Sequence, residues 1–321
     1  MSNTIGYAKI FQDLLDKVVT QKMTSNKLEI PAAQYRYKGG KTISIADIAL
    51  SGLGDYSRSN GYASGNATLT WTDHTFKMDR ARRFDLDAMD IDESNFVADA
   101  SVLLGEFGRT KIAPELDAYR YSSIAKKAYN LGSGHYTAAL TITSSNAFSK
   151  LSGDIAAVLD KGFEPEELTV YIPWTIYNLL INDEAIRKNL DIGVRSAGDG
   201  VETRFYRLNG VELVPVMSDR MKSGYDFYDG TSDGKTAGGF VKKTTALSIN
   251  WLIVPAGSAV AIVKHKVDKI IAPEANQTYD GYSIYSRIYH DCFFSKNRSA
   301  GIYASFADAI PTTKPEEAFN A

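Results

Sequence analysis

Cysteine is almost missing from this sequence. Only Cys292 occurs among the 321 residues, so an internal disulfide framework and a Cys-rich zinc site are both excluded. Long apolar runs are missing as well. The longest, Trp251 to Val263, is interrupted by Pro255 and Gly257, and a membrane-spanning helix needs roughly 20 consecutive apolar residues. No basic segment leads into an apolar one at the N-terminus, so no secretory signal is expected and the chain is expected to fold in a cytoplasm. Neither sign of charge is in excess. Lys plus Arg total 36 and Asp plus Glu total 38, a formal charge of −2, which argues against a strongly basic protein that coats nucleic acid. The four histidines, His74, His135, His265 and His290, have no partner at metal-ligand spacing.

The rest of the composition is that of an ordinary globular chain, with 44% hydrophobic and 23% charged residues. The length allows about one to three domains. Tyrosine stands out, at 19 residues against 6 methionines and 3 tryptophans. It suits surfaces that are wet in one state and buried in another.

Residues 5–22 hold a short amphipathic helix, with Ile10, Leu14, Leu15 and Val18 at helical spacing. Thr24 to Gly40 reads as an extended arm. Residues 42–48 and 67–72 alternate apolar and polar, as strands do. Between them, Leu50 to Asn66 carries Gly52, Gly54, Gly61 and Gly65 and few large apolar residues. The pattern predicts a projecting β-hairpin with a long glycine-rich tip. Residues 93–130 predict the longest helix, with a kink or break between Gly108 and Pro114, and Leu131-Gly-Ser-Gly134 ends it. Thr137–Thr143 reads as a strand. Asn146 reads as the cap of a further helix, and Pro173 as the first residue of another. Strands follow at Leu168–Ile172, Arg204–Leu208, Val211–Val216, Trp251–Val254, Ala259–Lys266, Tyr282–Phe294 and Gly301–Ser305. There is no regular βαβ rhythm, so the fold class is α+β.

Motifs that would carry chemistry are weak. Gly230-Thr-Ser-Asp-Gly-Lys-Thr236 has three residues between its glycines where a phosphate loop has four, and no helix start follows. Ser123-Ile-Ala-Lys126 matches a short acyl-transfer pattern without its companion motifs. Asp85, Asp87, Asp90, Asp92 and Glu93 lack the glycine and the third ligand of a calcium loop, and read as a solvated turn before the long helix. His290 and Cys292 fall on one strand face, which two residues do not turn into a catalytic site. No catalytic, cofactor or metal residue is assigned, and the chain does not read as an enzyme.

The order of arm, hairpin, long helix and terminal strands resembles the major capsid (coat) proteins of tailed bacteriophages with the HK97-type fold. Three segments carry the resemblance. They are Phe84-Asp-Leu-Asp-Ala-Met-Asp-Ile-Asp-Glu93, Ala113-Pro-Glu-Leu-Asp-Ala-Tyr-Arg-Tyr121, and Asp280-Gly-Tyr-Ser-Ile-Tyr-Ser-Arg-Ile-Tyr-His-Asp-Cys-Phe-Phe294 with Gly301-Ile-Tyr303. They are similar to coat proteins of phages and prophages of Gram-positive bacteria.

The resemblance implies an N-terminal arm at 1–41 and an E-loop hairpin at 42–79, laid across a neighbouring subunit. It implies a P-domain at 80–181 with the spine helix 93–130, an A-domain at 182–257, and P-domain return strands with a C-terminal tail at 258–321. It implies a self-assembling shell of pentamers and hexamers around double-stranded DNA, assembled in the host bacterial cytoplasm and residing in the virion. A separate scaffolding protein, a portal and a maturation protease are the implied partners, with no membrane. Some relatives cross-link through an E-loop lysine, but Leu50 to Thr70 contains none, while Lys41 and Lys77 lie at the hairpin base. Only about 40 residues precede the hairpin, so scaffolding is expected from a separate protein, or the chain is already the mature form. Tyr56 and Arg58 at the hairpin tip and Asp226 and Tyr228 in the A-domain are the expected inter-subunit contacts. The competing readings are an encapsulin-type compartment shell, which shares the fold, and a cytoplasmic α+β enzyme or binding module.

Overall fold

The computed structural model describes residues 23–29, 35–59, 61–87, 89, 100–182, 190–197, 201–312 and 314–319. The amphipathic helix at 5–22 and the spine residues 93–99 lie outside them. Strands β2 (Thr42–Leu50) and β3 (Ala67–Thr75) pair antiparallel without a slip, from Thr42↔Thr75 to Leu50↔Ala67. The expected hairpin is therefore present. The arm reading needs correction at its end, because Tyr35–Gly39 forms β1 and adds to β2. Gly40 makes the connecting turn with φ +58°, a conformation that costs glycine little. The tip is partly ordered by Ser51, which bonds across to Asn66, and by a Ser57–Gly61 bridge.

Phe76 and Lys77 lead directly into β4 (Met78–Asp87), which the sequence reading passed over. Its charges suggested a turn, yet even-numbered residues turn inward and odd-numbered ones outward along its whole length. Asp85 and Asp87 thus belong to a strand, and Asp90, Asp92 and Glu93 of the expected turn lie outside the described residues. The chain's long return hairpin explains the outcome. Strand β4 lies beside β14 (Gly281–Phe294), which also pairs with β13 (Ala259–Ile271). The inward row of Phe84, Leu86, Ile284 and Ile288 packs on the long helix.

That helix runs as α1 (Ala100–Phe107), a π-helical turn (Gly108–Ile112) and α2 (Ala113–Asn130). The irregularity expected near Pro114 is there, but the helix widens instead of breaking. Ala113 N–H bonds Gly108 C=O, one residue further back than in an α-helix. The wider turn leaves room for the Pro114 ring, which otherwise crowds the carbonyl four residues before it. Gly132, at φ +90°, bonds the Tyr129 carbonyl and ends the helix.

The expected strand at 137–143 shrinks to β5 (Tyr136–Thr137), because Ala139 adopts φ +56° and leaves the strand direction. Asn146 stands at the cap position of α3 (Ala147–Leu159), but its side-chain oxygen accepts from Thr143 N–H, before the helix. Pro173 closes β6 (Leu168–Pro173), and α4 (Trp174–Ile181) starts one residue later than expected.

A seven-stranded sheet forms the second body of the molecule. Its order is β5, β15 (Tyr303–Phe306), β12 (Ile249–Pro255), β6, β9 (Val211–Val216), β8 (Val201–Leu208) and β7 (Leu190–Ala197). The expected unit 182–257 supplies four of these seven strands, so it does not close a sheet of its own. The reason is burial, since β12 is buried along its whole length and needs partners on both edges. Tyr171, Leu252 and Val254 face α2, while Val170, Ile172, Trp251 and Ile253 face α3 and α4. This two-sided burial reads in sequence as continuous apolar runs. A two-stranded ribbon, β10 (Tyr225–Phe227) with β11 (Phe240–Lys242), completes the α+β architecture.

Candidate functional site

The β2–β3 hairpin changes character along its length. Its base is core, with Ile43, Ile45 and Phe76 packed on Val260, Ile262, Tyr289 and Phe293. Asp47 ties the middle down, accepting from Thr72 Oγ1 at 3.2 Å and Lys296 N–H at 3.3 Å, and Asn297 Nδ2 donates to Ile48 C=O at 2.8 Å. Beyond that point apolar side chains on the hairpin's other face stand in solvent. The directly opposed pairs Ala46↔Trp71, Ile48↔Leu69 and Leu50↔Ala67 share one face. Ile48 is 59% and Leu69 57% exposed. Among the described residues, seven of thirteen exposed large hydrophobics lie between Ile48 and Trp71. Such clustering marks an interaction surface, whereas scattered single residues would not. Tyr56 and Arg58 are exposed at the tip, and the Tyr56 ring meets the Tyr62 ring edge-on at 5.2 Å.

Asp226, on β10, and Tyr228, just beyond it, do not join this surface. Asp226 is exposed on β10. Tyr228 is half-buried, and its carbonyl is held by Arg80 of β4. One Arg80 nitrogen donates to Tyr228 C=O at 2.8 Å and another to Gly239 C=O at 3.2 Å, so both ends of the loop 228–239 are gripped. Arg80 Nε also bonds Glu115 of α2 at 2.6 Å. Gly230 and Gly238 approach the Arg82 guanidinium so closely that a Cβ would stand 2.9 and 3.3 Å from it. The loop that resembled a phosphate site is thus a cover over β4, turned by Asp229, which accepts from Thr231 and Ser232 N–H.

Beneath this cover lies a cavity of about 430 Å³. Phe84, Phe107, Ile112, Leu116 and Ile288 form its apolar floor, and Arg82, Lys111 and Asp229 stand at its rim. His290 also lines it, and His290 Nδ1 is buried without a hydrogen-bond partner among the described residues. Burial, aided by Arg120 and Arg80, holds the imidazole neutral down to about pH 3. The ring stands edge-on to Tyr119, whose hydroxyl donates to Asp291 at 2.7 Å. Sequence reasoning missed this cavity.

The chain's leading segment is fastened to α2 by one buried carboxylate. Asp117 accepts from the N–H and hydroxyl groups of both Thr24 and Ser25, at 2.6 to 3.1 Å, and from Arg220 at 2.9 Å. Arg120 reaches Ser25 Oγ at 3.1 Å and Glu29 at 2.7 Å.

The motifs weighed for chemistry have structural partners. Ser123 Oγ donates to the Tyr119 carbonyl within its helix. Asp85 accepts from Arg83, Tyr279 and Ser283. Cys292 is buried, which pushes its thiol up to about 12, far from a reactive thiolate. Among the described residues no three His, Cys, Asp or Glu side chains converge as a metal site, and no helix is long and apolar enough to cross a membrane.

No family model matches the sequence, and no curated protein matches it. Solved structures do match. The capsid of the cyanophage P-SCSP1u superposes with a TM-score of 0.55 at 13% identity, over 85% of this chain and 85% of that one. The mature capsid of bacteriophage PhiM1 gives 0.53 at 13% identity, over 84% and 82%. A virus-like particle from Pyrococcus furiosus gives 0.51 at 9% identity, over 93% and 99%. The chain has the α+β fold of these shell subunits, the HK97-type fold that its motifs imply.

Proposed function

We propose that this chain is the major capsid protein of a tailed bacteriophage, a tile that assembles with copies of itself into an icosahedral shell around double-stranded DNA. The carrying observation is the exposed apolar face of a hairpin that is firmly rooted at its base. A monomer gains nothing by holding Ile48, Leu50, Leu69 and Trp71 in water. A subunit that lays this face on its neighbour buries it, at about 25 cal/mol per Å² of apolar area. Contacts of this head-to-tail kind close into rings and shells when the rotation closes.

In this reading, residues 42–79 are the E-loop and the helix through Asn130 is the spine of the P-domain. Residues 182–257 form the A-domain around the symmetry axes. The tip residues Tyr56 and Arg58, and Asp226 and Tyr228 of the A-domain, contact neighbouring copies, while Arg80 holds the cover loop in place. Scaffolding protein, portal and maturation protease act as separate partners, and the role of the chain is structural, in the virion, after assembly in the host cytoplasm.

The test is negative-stain microscopy of the expressed chain, alone and with a scaffolding protein. Closed shells are expected, and deleting Ser51–Gly65 is expected to leave a soluble, folded subunit that forms none. A subunit that stays monomeric under all these conditions contradicts the proposal. Shells that load enzyme cargo and admit no portal indicate an encapsulin-type compartment instead.

A further inference from the structure

Two cations at the mouth of the cavity under the 228–239 loop have no carboxylate to answer them. Three acidic side chains line the cavity, and each is engaged elsewhere. Glu115 pairs with Arg80 at 2.6 Å. Asp79 lies on the outward row of β4 and pairs with Arg287 at 2.7 Å. Asp229 is turned into its own loop, where the N–H groups of Thr231 and Ser232 and the Ser232 hydroxyl hold it. Arg82 is half-buried and gives one nitrogen to Thr236 C=O at 3.2 Å, and Lys111 is exposed. Neither has an ion-pair partner among the described residues.

Behind these cations the wall is apolar. Phe84 comes from β4, Phe107 from α1, Ile112 from the π-turn, Leu116 from α2 and Ile288 from β14. Water there finds few polar partners, and an apolar group that displaces such water gains. The volume of about 430 Å³ lies within the range of small-molecule sites.

We propose that this cavity binds a small amphipathic anion, an apolar chain or ring that carries one carboxylate or sulfonate. The apolar body rests on Phe84, Phe107 and Ile288, and the head group sits at the mouth between Arg82 and Lys111. Arg82 offers a planar fork of donors and Lys111 a point charge. A neutral alcohol leaves both cations unanswered, and an inorganic anion leaves the apolar wall wet. Because Arg82 also holds Thr236, the bound head group links the cover loop to β4 and the π-turn. The site belongs to the single subunit and does not depend on the capsid reading.

The test uses the full, unassembled chain and decanoate below its micelle concentration, titrated by calorimetry. Saturable binding to a single site is expected, with decanol at least roughly tenfold weaker, the loss of a charge-assisted contact. Arg82→Gln and Lys111→Gln are each expected to weaken decanoate by a similar factor and to leave decanol unchanged. The exposed hairpin face is the rival apolar surface, so Ile48→Thr with Leu69→Thr is expected to leave decanoate affinity as it is. A decanoate bearing a diazirine is expected to label peptides that contain Phe107, Ile112 or Ile288 in the parent chain, a readout that needs no variant. No saturable binding, equal affinity for decanol and decanoate, or labelling confined to the hairpin overturns the proposal and leaves the capsid reading untouched.

Discussion

Asp117 illustrates how much one side chain can hold. It is fully buried, it lies on α2, and every bond it accepts comes from another part of the chain. Removing its charge leaves Arg220 buried opposite a neutral group and loosens residues 24–29. Asp117→Asn is expected to cost about 3 kcal/mol or more, read as a lower urea midpoint of the unassembled subunit. His290 acts in the opposite sense. An unfolded imidazole takes up a proton near pH 6.5, while the folded one stays neutral down to about 3. Between these values the unfolded chain binds more protons, so stability is lost as pH falls, by about 1.4 kcal/mol per unit. In denaturation series from pH 7 to pH 4, His290→Phe is expected to show a shallower loss than the parent. Tyrosine is the residue whose meaning changed most. Tyr121, Tyr171 and Tyr177 are in the core, and the hydroxyls of Tyr119, Tyr225 and Tyr279 tie separate elements together. Composition could not tell such internal fastening from an interface role, since both use a ring with a polar end.

At the scale of elements, the long helix poses a question of cause. Pro114 marked the irregular turn in the sequence, yet packing also holds it. Leu104 is buried with Ile284 and Ile288, and Phe107 meets Phe84 at 4.9 Å. Converting the π-turn to α would rotate α1 by about 100° and displace Leu104, at about 2–5 kcal/mol. The regained backbone bond is worth only about 1 kcal/mol. Pro114→Ala is therefore expected to keep the π-turn in a structure of the variant and to change stability by less than about 1 kcal/mol. Most strands were legible, because β9, β12, β13 and β14 are rich in branched and aromatic residues. Strand β4 was not. Its side chains alternate by burial and not by polarity, with Arg80 and Arg82 on the inner row beside Phe84. Those arginines turn inward because carbonyls and Glu115 await them, and a distant loop supplies the carbonyls.

For the whole molecule, the hairpin's projection was legible from its glycine-rich tip, but its sticky face was not. That face appears only once the register sets Ile48 against Leu69 and Ala46 against Trp71. The cavity was even less accessible to sequence, since β4, the π-turn, the 228–239 loop and β14 each contribute a wall. Ile48→Thr with Leu69→Thr is expected to change subunit stability by no more than about 0.5 kcal/mol, because both sites are exposed. The pair is expected to abolish assembly in sedimentation velocity runs. The double grip of Arg80 has a practical consequence of another kind. Because Tyr228 and Gly239 are pinned from beneath, the stretch between them is a natural graft point. Asp233 and Gly234 point into solvent, and doubling a loop's length costs only about 0.6 kcal/mol. A foreign peptide spliced there would be displayed on every tile without loosening the anchors on either side.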